Sequence, residues 1–173
     1  MELLEAIRTR RAVRRFKKEP VPAELIEKLL EAARWSPSSV NCQPWEFIVI
    51  TDDETKAKMS RAFVIGAFLK EAPLAIAVAA DRFKSPMPVQ DGSIAAYTIW
   101  LAAHDIGLGA CWINPTFPFG IKHILGIPLS KKLVSVLAIG YPSETPVHPR
   151  KKLQDFVFFE RHGNKKGPII FKD

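Results

Sequence analysis

The chain has 173 residues, of which 47% are hydrophobic, and its formal net charge is +7. This length suits one compact domain, and no run approaches the ~20 consecutive apolar residues of a membrane span. The first residues lack the basic segment of an export signal, so we expect a cytoplasmic protein. Cys42 and Cys111 are predicted to be buried free thiols, and no Cys or His spacing indicates a metal site.

The chain begins with two predicted helices. Leu3, Leu4 and Ile7 indicate a short amphipathic helix that is followed directly by arginines. The second helix is expected to begin near Pro22, since proline suits the first turn of a helix, and to end near Ser36.

Two buried strands are predicted next, with a helix between them. Residues 47–50 form a short, continuously apolar run, which is typical of a strand buried on both faces. Asp52 or Asp53 can then cap a helix that continues through Met59. Residues 74–80 predict the second buried strand.

The middle of the chain predicts a loop and a long apolar helix. Residues 81–90 contain two prolines and several polar residues, which indicates a loop. Residues 91–106 form a helix with scarcely any polar face, so we expect it to be buried on all sides, partly by a second subunit. Asp91 is interpreted as its cap. Gly107 and Gly109 resemble part of a dinucleotide-binding fingerprint, but their position after a helix favours a C-cap.

The last elements are a short helix, a strand and an apolar tail. Residues 119–127 predict a helix ended by Pro128, and residues 133–139 predict a third buried strand. The tail, residues 156–173, is too apolar to remain in water without a packing partner.

Positive charge is concentrated at both ends of the chain. Seven Lys or Arg residues lie within positions 1–18 and seven within 150–173. Such blocks serve nucleic acid, an acidic partner or a phosphorylated ligand, or they form a solvated face. Phe16 is the only aromatic residue in the N-terminal block, and readers of nucleic acid usually interleave more, so we expect no nucleic-acid partner. Guanidinium groups also bind phosphate bidentately, which favours a phosphorylated cofactor.

Four separated motifs occur in an order that resembles the FMN-dependent nitroreductase family. They are Arg10-Arg-Ala-Val-Arg14-Arg-Phe16, Pro37-Ser-Ser-Val-Asn41-Cys-Gln-Pro-Trp45, Leu101-Ala-Ala-His-Asp-Ile-Gly-Leu-Gly109-Ala-Cys-Trp112 and Ala138-Ile-Gly-Tyr-Pro142. The resemblance covers about residues 1–155 and implies one α+β domain over 1–173, with a mixed sheet flanked by helices. It also implies a homodimer with FMN at the interface, and a tail that packs on the partner subunit.

The resemblance implies a role for each of ten cofactor-binding residues. The phosphate is assigned to Arg10, Arg11, Arg150 and Lys152; the ribityl chain and pyrimidine edge to Ser38, Ser39 and Asn41; the flavin N5 to the backbone N–H of Thr116; and flavin tuning to Arg14. Ala12 stands where many members have serine, so a backbone N–H must replace any hydroxyl contact. Phe117 and Phe119 are assigned to the substrate space. Solvated charge, turn formation and core packing are the alternative explanations.

The function implied by the resemblance is a ping-pong oxidoreductase. NAD(P)H reduces FMN, leaves, and is replaced by a nitroaromatic, a quinone or a similar electron-poor acceptor. No catalytic side chain is expected, because the cofactor carries the redox chemistry. Two other classes are a non-catalytic flavin or nucleotide sensor and a basic nucleic-acid-binding protein. The residues do not distinguish NADH from NADPH.

Overall fold

The computed structural model describes residues 2–63 and 66–169, so the last four residues of the predicted tail lie outside the described residues. Within these ranges the chain forms five α-helices and four β-strands. The helices are α1 (Leu3–Thr9), α2 (Ala23–Arg34), α3 (Asp53–Arg61), α4 (Pro88–Asp105) and α5 (Pro118–Ile124). The strands are β1 (Trp45–Ile50), β2 (Leu74–Asp81), β3 (Gly109–Ile113) and β4 (Lys131–Gly140).

The four strands form one sheet in the order β1-β2-β4-β3, and every neighbouring pair is antiparallel. A parallel bridge between Ala12 and Ala110 adds the arginine-rich segment to the free edge of β3. The backbone N–H of Val13 donates to the Ala110 carbonyl at 3.1 Å. This bridge makes the sheet mixed and confirms the predicted α+β class.

Helices cover both faces of the sheet, and side-chain alternation along β2 supplies both cores. Leu74, Ile76 and Val78 pack towards α2 and α4, whereas Ala75 and Ala77 pack towards α3 and α5. Both β2 and β4 are central and almost wholly buried, as their continuous apolar runs predict.

Two local predictions of helix ends are confirmed. The Asp52 carboxylate accepts the backbone N–H of Thr55 at 2.7 Å and so caps α3. Gly107 ends α4 with a φ of 82°, and the N–H of Leu108 returns to the Ala103 carbonyl at 2.8 Å. Gly107 therefore acts as a C-cap.

Several strand and helix bounds differ from the sequence-based expectation. β1 is an edge strand with Glu46 and Val49 exposed, so the prediction that it is buried on both faces is wrong. β3 was not predicted, because its five residues follow the α4 cap without a break in composition. The loop after β2 ends at Met87, since Pro88 already occupies the first turn of α4. Helix α5 ends at Ile124, three residues earlier than expected.

Helix α4 is covered by its own chain on the side of α2 and the sheet, and only in part on the other side. Its buried residues face α2 and the sheet, whereas Ile94 and Tyr97 are 40% and 39% exposed. Helix α1 crosses the second half of α4 and leaves Leu3 and Leu4 exposed. The expectation that α4 is buried on all sides is therefore not met within one chain.

The described part of the tail folds largely on itself. The Phe159 N–H donates to the Asn164 carbonyl at 2.9 Å, and the Lys165 ammonium lies 4.0 Å from the centre of the Phe158 ring. Phe156 remains exposed. Throughout the part of the chain that the structure describes, no helix has the length and apolar character needed to cross a membrane.

Candidate functional site

Arg10 is the centre of a cationic cluster on the outer side of α4. Its guanidinium carbon lies 4.0 Å from the centre of the Trp100 ring. Burial lowers the pKa of Arg10, the neighbouring Tyr97 phenol raises it, and the charges of Arg150 and Arg11 lower it further. The fold therefore brings Arg150 of the distal basic block close enough for its charge to act on Arg10 of the N-terminal block.

This cluster has the properties of an anion site. The Nε of Arg10 is buried and has no hydrogen-bond partner among the described residues. A buried N–H without an acceptor costs about 1–3 kcal/mol, and converging guanidinium groups repel one another. A phosphate dianion would satisfy the N–H and offset the charges, and its geometry matches the guanidinium fork. The residues present thus fit the phosphate of a flavin nucleotide.

The other two predicted phosphate ligands are Arg11 and Lys152. Arg11 folds back on the end of α1, where its guanidinium donates to the carbonyls of Arg8 at 2.7 Å and Arg10 at 2.9 Å. Lys152 lies two residues beyond Arg150, immediately before a short 3-10 turn. Their contacts with a phosphate stay predictions.

The segment from Arg10 to Phe16 is held closely against β3. A Cβ atom on Gly109 would lie 2.8 Å from the Cβ of Val13, so only glycine permits this approach. Phe16 forms a second bridge, with Pro142, on the far side of the segment. The backbone of Ala12 is therefore held in place by its own bridge to Ala110 and by the contact of the next residue, Val13, with Gly109.

Arg14 lies beside the start of the segment that follows β4. The backbone N–H groups of Arg14 and Arg15 both donate to Oε1 of Glu144, at 2.6 and 3.1 Å. Burial raises the pKa of the Cys111 thiol, and the adjacent Arg14 guanidinium opposes that rise. Glu144 thus fixes the backbone of Arg14 while leaving its guanidinium towards Cys111. The sequence offered no signal for this role of Glu144.

Ser38, Ser39 and Asn41 lie in a tight turn with an unusual backbone. Val40, Asn41 and Gln43 have φ values of 46°, 56° and 46°, in the left-handed region that non-glycine residues rarely adopt. Such conformations cost on the order of 1–3 kcal/mol each and persist only where the surroundings hold them. The Gln43 N–H donates to the Ser38 hydroxyl at 2.9 Å.

Asp91 supplies the main anchor of this turn. Its carboxylate is 2% exposed and accepts the Ser39 N–H at 2.9 Å, the Ser39 hydroxyl at 3.2 Å and the Ser85 hydroxyl. Burial alone would raise the pKa of Asp91, but the hydrogen bonds from Ser85 and Ser39 outweigh it and the pKa lies below its ordinary value. The interpretation of Asp91 as a helix cap is wrong, because α4 begins three residues earlier.

The two predicted halves of the cofactor site lie at opposite ends of α4 within one chain. Asp91 holds the Ser39 turn near the start of the helix, and Trp100 contacts Arg10 near its end. Nine residues of α-helix separate the two contacts by about 13 Å along the axis. One chain therefore places the serine turn and the arginine cluster at two separated points along α4.

The segment after β3 carries the remaining predicted residues. Thr116 is exposed, and Phe117 and Phe119 are 62% and 72% exposed. Core packing, the alternative explanation for these two rings, is excluded within the chain. The Trp112 indole N–H donates to Oδ1 of Asn114 at 2.6 Å and orients the start of this segment.

No group of three His, Cys, Asp or Glu side chains within residues 2–63 and 66–169 is arranged to hold a metal ion. The arginine cluster, the strained polar turn and the exposed aromatic segment on an α/β/α scaffold define a protein built to bind a phosphorylated cofactor.

Comparison with known proteins agrees with this class. The sequence profile described as the Nitroreductase family matches residues 7–67 and 60–141. The chain belongs to this family.

Two proteins of similar sequence and one solved structure illustrate the similarity of this chain to known proteins. A protein from Methanothermobacter thermautotrophicus, provisionally named NADH dehydrogenase/NAD(P)H nitroreductase, is 43% identical over 154 residues, covering 84% of this chain and 80% of that one. The 5,6-dimethylbenzimidazole synthase of Rhodospirillum rubrum is 32% identical, with 84% and 83% coverage. An FMN-dependent nitroreductase from Clostridium difficile R20291 superposes with a TM-score of 0.86 at 33% identity, covering 91% of this chain and 99% of that one.

Proposed function

We propose that the protein is an FMN-dependent NAD(P)H oxidoreductase that reduces nitroaromatics, quinones or similar electron-poor acceptors. The observation that carries this proposal is the arginine cluster, in which the buried Arg10 Nε lacks an acceptor and Arg150 adds a second charge. The similar Clostridium difficile protein, named an FMN-dependent nitroreductase, supports the choice of cofactor. Free thiols at Cys42 and Cys111 suit a cytoplasmic location, which stays a prediction.

In this proposal the chain binds and orients the cofactor. Arg10, Arg11, Arg150 and Lys152 hold the phosphate, and the backbone N–H of Ala12 is available beside them. Arg14 would interact with the pyrimidine edge of the flavin, and the backbone N–H of Thr116 would donate to its N5 atom. When bound, FMN supplies the redox chemistry, with the overall balance NAD(P)H + H⁺ + quinone giving NAD(P)⁺ + hydroquinone.

A homodimer would complete each site. If α4 packs antiparallel on α4 of a second copy, the Ser39 turn of one chain is carried to the Arg10 end of the other. Ser38, Ser39 and Asn41 would then reach an FMN whose phosphate is bound across the interface. Exposed apolar residues on α1 and α4 supply the surface, namely Leu3, Leu4, Ile7, Ile94 and Tyr97. The described tail can pack beside it.

The test is the cofactor content of a phosphate-site variant. The wild-type protein should purify yellow and release FMN, identified against FAD by mass. Each arginine is expected to donate charge-assisted hydrogen bonds that contribute about 1.5–3 kcal/mol. We therefore expect Arg10→Ala combined with Arg150→Ala to weaken FMN binding by at least two orders of magnitude. The control is Arg61→Ala with Arg161→Ala, two exposed arginines outside the cluster.

A colourless wild type that FMN cannot reconstitute would overturn the proposal. A sensor is distinguished by steady-state oxidation of NAD(P)H with menadione, because a non-catalytic flavoprotein shows no turnover. The variant pair should lose turnover in proportion to its loss of FMN.

A further inference from the structure

A second cationic site lies at the other face of the sheet. A pocket of about 280 Å³ is formed by α5, the turn after β2 and the start of β4. We call it the basic pocket; its cationic residues are Arg82, Lys122, Lys131 and Lys132. Lys131 is paired with Glu46 and Asp81, so its charge is offset within the chain.

Lys122 is the buried cation of the basic pocket. Its side chain is 7% exposed, and its ammonium group donates to the Lys131 carbonyl at 2.8 Å. Burial lowers the pKa of Lys122, and the charges of Arg82 and Lys132 lower it further. Within the described ranges, no carboxylate pairs with these three cations. An ammonium has three donors, so Lys122 can bind an anion without giving up its carbonyl contact.

Arg82 and the rim give the pocket its shape. The Arg82 guanidinium donates to the Leu129 carbonyl at 3.0 Å and lies 5.4 Å from the centre of the Phe83 ring. Phe119 and Leu129 line the pocket and are exposed, and Phe83 beside Arg82 is exposed as well. Cations inside and large apolar side chains at the rim suit a phosphate group attached to an organic body.

The basic pocket lies near Thr116, whose backbone N–H is assigned to the flavin N5, the atom that accepts hydride. Phe119 lines the pocket and lies three positions beyond Thr116 in the chain. A chain spans at most about 3.6 Å per residue, so the two lie within about 11 Å of each other. The proposed FMN phosphate cluster is elsewhere, because Arg10 packs against Trp100 of α4, whereas the pocket lies beside α5 on the opposite face of the sheet.

We propose that the basic pocket binds phosphate groups of NAD(P)H while the nicotinamide ring lies at the flavin. The proposal rests on the FMN-dependent function above. Both the pyrophosphate and the 2′-phosphate of the dinucleotide have the required chemistry, and Arg82, Lys122 and Lys132 are the residues that would recognise them.

The experiment compares Lys122→Met, Lys132→Gln and Arg82→Gln with the exposed control Lys28→Met. The Kd of the flavin-reduction phase is measured anaerobically with NADPH, with NADH and with 1-benzyl-1,4-dihydronicotinamide, which carries no phosphate. Binding of 5′-ADP and 2′,5′-ADP is measured by calorimetry on the same proteins. Because Lys132 and Arg82 are exposed, their variants keep the test valid if Lys122→Met folds poorly.

We expect each pocket variant to raise the Kd for a phosphate-bearing donor about tenfold or more. A rise for NADPH and 2′,5′-ADP alone assigns the pocket to the 2′-phosphate, whereas a rise for both dinucleotides and for 5′-ADP assigns it to the pyrophosphate. Equal losses with the phosphate-free donor, or no change beyond Lys28→Met, would overturn the proposal. A wild type that binds no FMN or is not reduced by NAD(P)H would instead contradict the function proposed above.

Discussion

Replacing Asp91 with alanine is expected to release the turn from Ser38 to Gln43. Four hydrogen bonds end on the Asp91 carboxylate, namely two from Ser39, one from Ser85 and a long one from the Cys42 thiol. Hydrogen bonds to a charged group contribute about 1.5–3 kcal/mol each, and removal of the carboxylate also removes its own desolvation cost. We therefore expect Asp91→Ala to lower the free energy of unfolding by about 3–4 kcal/mol.

The asparagine variant should be milder. It keeps one oxygen for the Ser39 N–H, and its amide N–H can donate to the Ser85 hydroxyl, which already accepts the Met87 N–H. A loss of about 1–2 kcal/mol is expected, because neutral hydrogen bonds are weaker than charge-assisted ones. The free energy of unfolding should therefore decrease in the order wild type, Asp91→Asn, Asp91→Ala, and this order separates the effect of the charge from that of the side-chain shape.

Thiol labelling reports the turn itself. Cys42 lies in the turn with its sulfur 3.8 Å from Asp91 Oδ2, whereas Cys111 is buried in β3 and serves as an internal reference. Once the anchor is lost, the left-handed residues can relax, so Cys42 should react at least tenfold faster in Asp91→Ala apoprotein. Urea unfolding gives the accompanying free energy, with Glu27→Ala on α2 as the control.

The dependence on pH follows from the lowered pKa of Asp91. Because the folded pKa lies below the unfolded value of about 3.9, the contribution is fully present above about pH 4 and is lost as the pH falls through the folded pKa. The stability difference between wild type and Asp91→Asn should shrink in that range. Unchanged Cys42 reactivity and an unfolding free energy within about 0.5 kcal/mol of the control would refute the anchoring role.

Two further predictions concern the flavin and the dimer. Arg14→Gln should lower the two-electron midpoint potential by tens of millivolts, since a fixed cation stabilises the anionic reduced flavin and about 30 mV corresponds to 1.4 kcal/mol. Spectroelectrochemical titration measures the potential, with Arg15→Gln as the control. An unchanged potential with a large loss of FMN would instead assign Arg14 to the phosphate. Ile94→Glu with Ile7→Glu should yield monomers in sedimentation at micromolar concentration, whereas Val147→Glu should not. A compact, flavin-loaded wild-type monomer would contradict the dimer.

Local signals in the sequence were sufficient for the parts of the fold that neighbouring residues decide. The Asp52 cap and the Gly107 C-cap each depend on contacts within five residues, so side-chain chemistry and backbone freedom alone predict them. The central strands β2 and β4 are apolar on both faces, and a continuous hydrophobic run in the sequence predicts this directly. The basic blocks alone left a solvated face open, and only the resemblance to the nitroreductase family assigned Arg10 and Arg150 to one phosphate.

Contacts distant in the sequence were decided only by the tertiary structure. An edge strand and a central strand can have the same apolar run, so the exposure of β1 depended on the order β1-β2-β4-β3. Asp91 accepts a hydrogen bond from Ser39, 52 positions away, and Glu144 accepts one from Arg14, 130 positions away. Lys122 is buried close to the charges of Arg82 and Lys132. No local period encodes such pairs, because a buried charge is stabilised by whichever groups the fold places beside it.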